Sequence, residues 1–270
     1  MEELIIQAPA KINLHLQVVN KREDGFHNIS SLFSLIDLCD TLSFKENGNK
    51  IKLSESIPIA DNIVLKAANL LKDKYSVKKG VRIELHKVIP DQKGLGGGSS
   101  NAAATLIALN KFWNLNCTQE EIMDLALTLG SDVPFFIFGK TAWAEGRGEI
   151  LREFSYQERF FLLSLPKLRI STKSAFNEIS LTDVEGLTKE NYKPDKYYNS
   201  FEKWVRSTYP IMDEIFLELQ SIGNPRLSGT GSTIFVEYSN LKDAEMAKKE
   251  FPELVLTKSL ERSPLMQIIE

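Results

Sequence analysis

Hydrophobic and polar positions recur along this chain with two different periods. In residues 4–19, Ile12, Leu14, Leu16 and Val18 fall at every second position and leave Lys11, Asn13, His15 and Gln17 on the other face, which predicts a strand. The turn Glu23-Asp24-Gly25 separates it from an apolar segment over 29–38 and a further strand over 41–45. Ile63, Ala67, Leu70 and Leu71 are spaced for one helical face, predicting a helix over 62–71 that Asp61 is placed to cap. Val81, Ile83 and Leu85 alternate again, so a strand runs toward Ile89, Pro90 and the segment Gly94-Leu95-Gly96-Gly97-Gly98-Ser99-Ser100, followed by an alanine-rich helix over 101–113. Thr118 with Glu121 has the spacing of a capping box for a helix ending near Gly130. Ser131-Asp132-Val133-Pro134 then connects to the apolar run 135–138.

From about residue 158 the order of elements changes. A strand over 160–165, a polar stretch over 181–200, helices over 201–222 interrupted at Pro210, a strand over 233–238, a helix over 241–251 and a short strand near Val255 predict an α+β arrangement with an antiparallel sheet. A boundary between 150 and 158 divides the chain into 1–155 and 156–270.

Composition narrows the field of functions. The 270 residues are 43% hydrophobic and 26% charged, as in a folded globular enzyme, and the formal charge of −3 supplies no broad basic field for nucleic acid. Any phosphate site is therefore local. The acidic start Met1-Glu2-Glu3 lacks signal or transit character, and apolar runs such as 133–138 and 160–163 are too short to span a bilayer, so a cytoplasmic location without membrane partners is expected. Cys39 and Cys117 are isolated, and His15, His27 and His86 show no paired ligand spacing, so neither a disulfide framework nor a structural metal is expected.

The glycine segment lies between a strand and a helix, where bare backbone approaches a ligand closely and the first helical amides point outward unsatisfied. Such a site attracts a phosphate chain, with Ser99 and Ser100 adding hydroxyls; a flexible connector with a serine cap is the plainer alternative. The segment has no Gly-Lys-Ser/Thr ending of a P-loop, no acidic residue about twenty positions on as a dinucleotide fold needs, and no protein-kinase signature accompanies it.

Three pieces occur in order: Pro9-Ala10-Lys11-Ile12-Asn13-Leu14, then the glycine segment continuing into Asn101-Ala102-Ala103, then Leu227-Ser228-Gly229-Thr230-Gly231-Ser232. The set resembles the motifs of the galactokinase, homoserine kinase, mevalonate kinase and phosphomevalonate kinase (GHMP) superfamily. Asp24-Gly25-Phe26-His27, Leu129-Gly130-Ser131-Asp132-Val133-Pro134 and Glu145-Gly146-Arg147-Gly148-Glu149 resemble in particular the branch that acts on a cytidine diphosphate ester of methylerythritol in the non-mevalonate isoprenoid route. The resemblance implies a two-domain GHMP kinase fold, with an N-terminal domain like ribosomal protein S5 domain 2 and a ferredoxin-like C-terminal domain. It also implies ATP as donor with Mg²⁺, and transfer to the 2-hydroxyl of the methylerythritol unit. Other GHMP kinases, acting on homoserine, mevalonate or a sugar, and a silent nucleotide-binding module are the competing readings.

By the same resemblance Asp132 is the base and Lys11 its electrostatic partner. A carboxylate that takes the hydroxyl proton beside an ammonium is what phosphoryl transfer to an alcohol requires; taken singly, the two residues read as a turn cap and a solvated strand charge. Asn13 is expected to orient substrate, Phe26 to stack on cytosine with His27 at its edge, and Phe176 to close the other side; a core phenylalanine beside a surface histidine is the plain alternative. Asn62 and Lys87 match positions near the nucleotide, yet each also reads as a helix cap or a strand-end charge. Gly229, Thr230 and Gly231 are expected to face the substrate, with a simple hairpin as the alternative. Asp91-Gln92-Lys93 departs from the small residues usual before the glycines and bears on nucleotide preference, with Lys93 placed to reach phosphate.

Overall fold

The computed structural model describes residues 3–55, 61–179, 187–193 and 197–269. Of the polar stretch expected over 181–200, residues 181–186 and 194–196 lie outside the described residues.

Two sheets organise the described residues. The first is six-stranded, in the order β3-β4-β2-β5-β6 with β1 paired to β2. Its spine is an antiparallel pair of long strands, β1 (Leu4–Lys21) and β2 (His27–Glu46), joined across the expected turn. The separate segments expected at 29–38 and 41–45 are one strand, because the interruption Asp37-Leu38 is a register shift: Ala10 pairs with Ile36 and Pro9 with Cys39. β3 (Ile51–Glu55) runs parallel to β4 (Val81–His86), and the crossover between them contains α1 (Ile63–Lys74). The α1 cap is Asn62, whose side chain accepts from the Val64 amide; Asp61, at φ 60°, stands one residue outside.

A second shift in β1 changes which side chains share a face. Asn13 pairs with Phe33 and His15 with Leu32, so Leu14 is a surplus residue and the period-two pattern breaks there. Lys11, Asn13 and Leu16 consequently face one cleft, while the His15 ring lies on the other side, stacked 5.7 Å from Trp143. The expectation that His15 and Gln17 share the Lys11 face is corrected by this bulge.

Against this sheet pack α1 and α2 (Gly97–Phe112), and α3 (Gln119–Leu129) packs on these two helices. α2 is buried nearly all round, and its alanines allow the close approach that a central helix needs. The Thr118–Glu121 capping box is formed in both directions. The apolar run after Asp132 is a short helix, α4 (Val133–Phe138), and two short strands, β5 (Ala142–Glu145) and β6 (Ile150–Glu153), complete the sheet.

The second sheet is antiparallel, ordered β10-β7-β9-β8, from β7 (Phe160–Ser164), β8 (Arg226–Leu227), β9 (Ile234–Tyr238) and β10 (Val255–Lys258). Helices α5 (Thr172–Glu178), α6 (Glu202–Thr208) and α7 (Pro210–Leu219) lie between β7 and β8, and α8 (Leu241–Glu250) between β9 and β10. This strand-helix-strand-strand-helix-strand order is the ferredoxin-like pattern. Pro210 starts α7, as its missing N–H allows. α9 (Met266–Ile269) returns to α2. The sheets share one core, since Leu16, Val18 and Leu106 belong to the same buried cluster as Leu162, Phe201 and Leu227. Among the described residues no helix is long and apolar enough to cross a membrane.

Candidate active site

A cleft of about 710 Å³ opens where the two sheets meet. Its floor is the glycine turn. Gly94 and Gly96 adopt φ of 74° and 69°, values that a side chain disfavours, and the turn delivers the chain into α2 at Gly97, four residues before the expected start. Gly96 caps α2 without a side-chain bond, so the amides of the first turn point toward the cleft with no helical acceptor. Space forbids larger residues: a Cβ on Gly96 would come within 2.8 Å of the Phe136 ring, and one on Gly94 within 2.1 Å of the Ser228 carbonyl oxygen. Leu95, Gly97, Gly98 and Ser99 line the cleft. Ser100 is fully buried behind them, and its hydroxyl lacks a hydrogen-bond partner among the described residues.

The approach to the turn is anchored from below. Asp40 is completely buried; its Oδ2 lies 2.6 Å from Lys87 Nζ, and its Oδ1 accepts from the Val88 and Ile89 amides at 2.7 and 2.8 Å. Lys87 therefore sits under α2, 3.2 Å from where a Gly97 Cβ would stand, and does not line the cleft. Asn62 does not line it either: its Oδ1 caps α1 and its Nδ2 donates to Glu55 Oε2 at 2.6 Å.

The Ser228–Ser232 turn closes on the glycine turn from the second sheet. Ser228 Oγ donates to the Gly94 carbonyl at 3.0 Å and accepts from the Asn13 amide at 3.3 Å, while Asn199 Nδ2 holds the carbonyls of Leu227 and Gly229. Gly229 and Thr230 line the cleft; Gly231 lies behind, against Ile170 and Leu227. Lys93, expected to reach phosphate, is committed elsewhere. Its ammonium donates to the Pro166 and Leu168 carbonyls and to Ser232 Oγ, and burial and nearby Arg169 lower its pKa. Lys93 ties the glycine turn to the second sheet.

At the centre, Lys11 Nζ lies 3.5 Å from Asp132 Oδ2. Lys11 is 4% exposed, and its ammonium also donates to Asn13 Oδ1 at 2.5 Å and sits 5.0 Å over the Phe33 ring, so its direction is set. Asn13 is held in turn by Ser31 Oγ at 3.0 Å. The Asp132 side chain is 34% exposed and makes no cap bond to α4, which leaves it able to accept a proton from a ligand in the cleft.

The far end of the cleft is aromatic. Phe26 is 48% exposed, its amide donating to Asp24 Oδ1 at 3.1 Å. The His27 and Phe176 rings are 5.1 Å apart, and Phe176 rests edge-on against Phe201 at 4.8 Å. Burial, helped by Lys21, lowers the His27 pKa, which favours a neutral imidazole with one donor and one acceptor. All three line the cleft, together with Arg147, whose guanidinium carbon is 4.5 Å from the Phe26 ring centre. Residue type alone assigns no role to Arg147 or Asp40. An arginine between two glycines, and an acidic residue closing an apolar strand, carry little signal alone.

Two sheets meeting over a glycine-floored cleft, with a carboxylate and an ammonium at its centre, define a small-molecule kinase of the GHMP class. The GHMP kinases N terminal domain matches residues 62–140. A mevalonate kinase structure, 17% identical, shares the fold with a TM-score of 0.73 over 96% of this chain and all of its own. A crystal structure of a 4-(cytidine 5'-diphospho)-2C-methyl-D-erythritol kinase aligns with a TM-score of 0.84 at 30% identity, covering 95% of this chain and 99% of that one. The 4-diphosphocytidyl-2-C-methyl-D-erythritol kinases of Psychromonas ingrahamii and Aliivibrio salmonicida are 37% and 38% identical; each alignment covers 97% of this chain, with 95% and 94% of the respective relative. The chain belongs to the 4-diphosphocytidyl-2-C-methyl-D-erythritol kinase family of the GHMP kinases.

Proposed function

We propose that the cleft transfers the γ-phosphoryl group of ATP to the 2-hydroxyl of 4-diphosphocytidyl-2-C-methyl-D-erythritol, giving the 2-phosphate and ADP, in the methylerythritol phosphate route to isoprenoid precursors. One observation carries the assignment of roles: Lys11 and Asp132, 3.5 Å apart, stand in one cleft with both the glycine turn and the aromatic end. Asp132 accepts the hydroxyl proton as the oxygen bonds to phosphorus and the bond to ADP breaks. Lys11 offsets charge on the transferring oxygens. Asn13 orients the acceptor, and Gly229 and Thr230 cover the reacting end. Phe26 and Phe176 bracket cytosine, with His27 at its hydrogen-bonding edge.

ATP lies along Gly94-Leu95-Gly96-Gly97-Gly98-Ser99, held by main-chain amides. Ser100, Asn62 and Lys87 act in this reading through the shape of that wall, since none of the three lines the cleft. Mg²⁺ suits the site: Ser99 offers a hard hydroxyl oxygen beside the phosphate path, and this ion takes its remaining ligands from phosphates and water. When bound it neutralises charge on the phosphate oxygens. The reading includes a nucleotide-binding unit at 1–155 and a ferredoxin-like unit at 156–270, supported by the change of sheet between β6 and β7. It also includes a cytoplasmic setting, where ATP is available.

The test is ATP consumption with the cytidylyl substrate against mevalonate and homoserine, in the wild type and Asp132→Ala. Turnover with the cytidylyl substrate alone, falling by about 10²–10⁴ in the variant with its fold intact, is expected. Near-normal turnover in Asp132→Ala removes that residue from the chemistry.

A further inference from the structure

The diphosphate that joins cytidine to the tetritol is the part of the substrate with no partner so far. If cytosine lies at Phe26 and the acceptor hydroxyl at Asp132, as the proposed function has it, the diphosphate must cross the wall between them. That wall is the turn joining β5 to β6. The Gly146 carbonyl accepts from the Ile29 amide at 2.7 Å, close to His27, and a Cβ on Gly148 would stand 3.8 Å from Asp132 Oδ1. Arg147 projects from between these two points.

Several cations line the cleft, but they are not equally available. Lys11 is committed to Asn13 and Asp132, and Lys93 to the Pro166 and Leu168 carbonyls. Arg147 is steadied rather than consumed: its amide donates to Glu149 Oε2 at 2.5 Å, its Nε lies 3.9 Å from Glu149 Oε1, and its guanidinium rests over Phe26. Its terminal nitrogens make no hydrogen bond among the described residues. A guanidinium held in this way keeps a planar pair of donors for two phosphate oxygens, and less freedom is lost on binding than for a loose lysine. Lys173, exposed on α5, is the rival.

The geometry points to Arg147 as the residue that recognises the substrate's diphosphate, and so as the group that separates a cytidine diphosphate ester from a plain nucleoside. Glu149 and Phe26 position it, and the same turn reaches Asp132, so diphosphate binding sets the distance from base to acceptor hydroxyl.

The experiment measures cytidine and CDP affinity by calorimetry, with a non-hydrolysable ATP analogue saturating the glycine turn, for wild type, Arg147→Gln, Arg147→Lys and Lys173→Gln. The wild type should bind CDP more tightly than cytidine. Arg147→Gln should lower that ratio about tenfold, the size expected for losing one charge-assisted hydrogen bond, while cytidine still binds. Arg147→Lys should recover part of the ratio, and Lys173→Gln should leave it in place. A ratio that survives Arg147→Gln, or collapses only in Lys173→Gln, overturns the assignment. Loss of cytidine and CDP alike in Arg147→Gln also overturns it, since the arginine then acts only by bracing Phe26. A wild type that binds neither ligand refutes the proposed function along with it, whereas equal wild-type affinities refute this inference alone.

Discussion

The fully buried carboxylate of Asp40 meets the Lys87 ammonium at 2.6 Å directly beneath the first residue of α2. The pair, with the Val88 and Ile89 amides on the other carboxylate oxygen, fixes the path by which β4 enters the glycine turn. Removing Asp40 strips the buried Lys87 ammonium of its 2.6 Å partner, leaves it Asp91 at 3.6 Å, and leaves two amides unanswered. Asp40→Ala should cost about 3–5 kcal/mol in urea unfolding, and Asp40→Ala with Lys87→Met should recover much of it. An unchanged midpoint for the single variant would show that the pair contributes little.

The glycine turn and the Ser228–Ser232 turn are packed main chain to main chain. Gly94→Ala adds a methyl 2.1 Å from the Ser228 carbonyl oxygen at a φ of 74°. The backbone conformation alone costs about 1–2 kcal/mol for a residue with a Cβ, and the clash adds to that. We expect a lower melting temperature and a raised KM for ATP. Alanine at Gly25, at a similarly positive φ of 84° but with nothing within 4 Å, separates the two causes, because only the backbone cost applies there.

Much of this site is legible in the residues because phosphate and proton transfer demand particular types in a particular order. The glycine turn, Lys11, Asp132, Phe26, His27 and Phe176 all come to one cleft. What the pattern hides is a count of one. The surplus Leu14 in β1 exchanges the faces of His15 to Val18, and alternation carries no mark of a bulge. The apolar run after Asp132 is equally mute, since six apolar residues, five of them buried, suit a strand or a helix, and Pro134 beside the Asp132 cap decides for the helix. Lys93 reads as a phosphate ligand by position, yet the carbonyls of Pro166 and Leu168 come from the far half of the chain and cannot be foreseen from neighbours.

His15 predicts a pH dependence. Burial pushes its pKa down to about 4 from an ordinary value of 6.5, so between those values the unfolded chain holds a proton that the folded one refuses. Stability therefore falls as pH drops through this window, by about 3 kcal/mol by pH 4. Denaturation at pH 7, 5.5 and 4 should show a shallower fall in His15→Phe, which keeps a ring against Trp143. Parallel curves for the two proteins would exclude His15 as the source.

Lys93→Met should loosen the tie between the glycine turn and the second sheet, because three acceptors lose their shared donor. KM for ATP should rise more than KM for the cytidylyl substrate, since Lys93 adjoins Gly94 of the glycine turn. Steady-state kinetics with each substrate varied in turn checks the asymmetry, and equal changes in both constants would contradict it.

The bulge at Leu14 is an insertion that holds two stretches of β1 in phase with one cleft. Excising that leucine would make Asn13 and His15 neighbours, and strict alternation would keep the imidazole on the Trp143 side and Leu16 in the cleft. Straightening the strand with Leu14 retained is the change that misregisters it, because His15 would then turn into the space where the acceptor binds with no catalytic side chain altered.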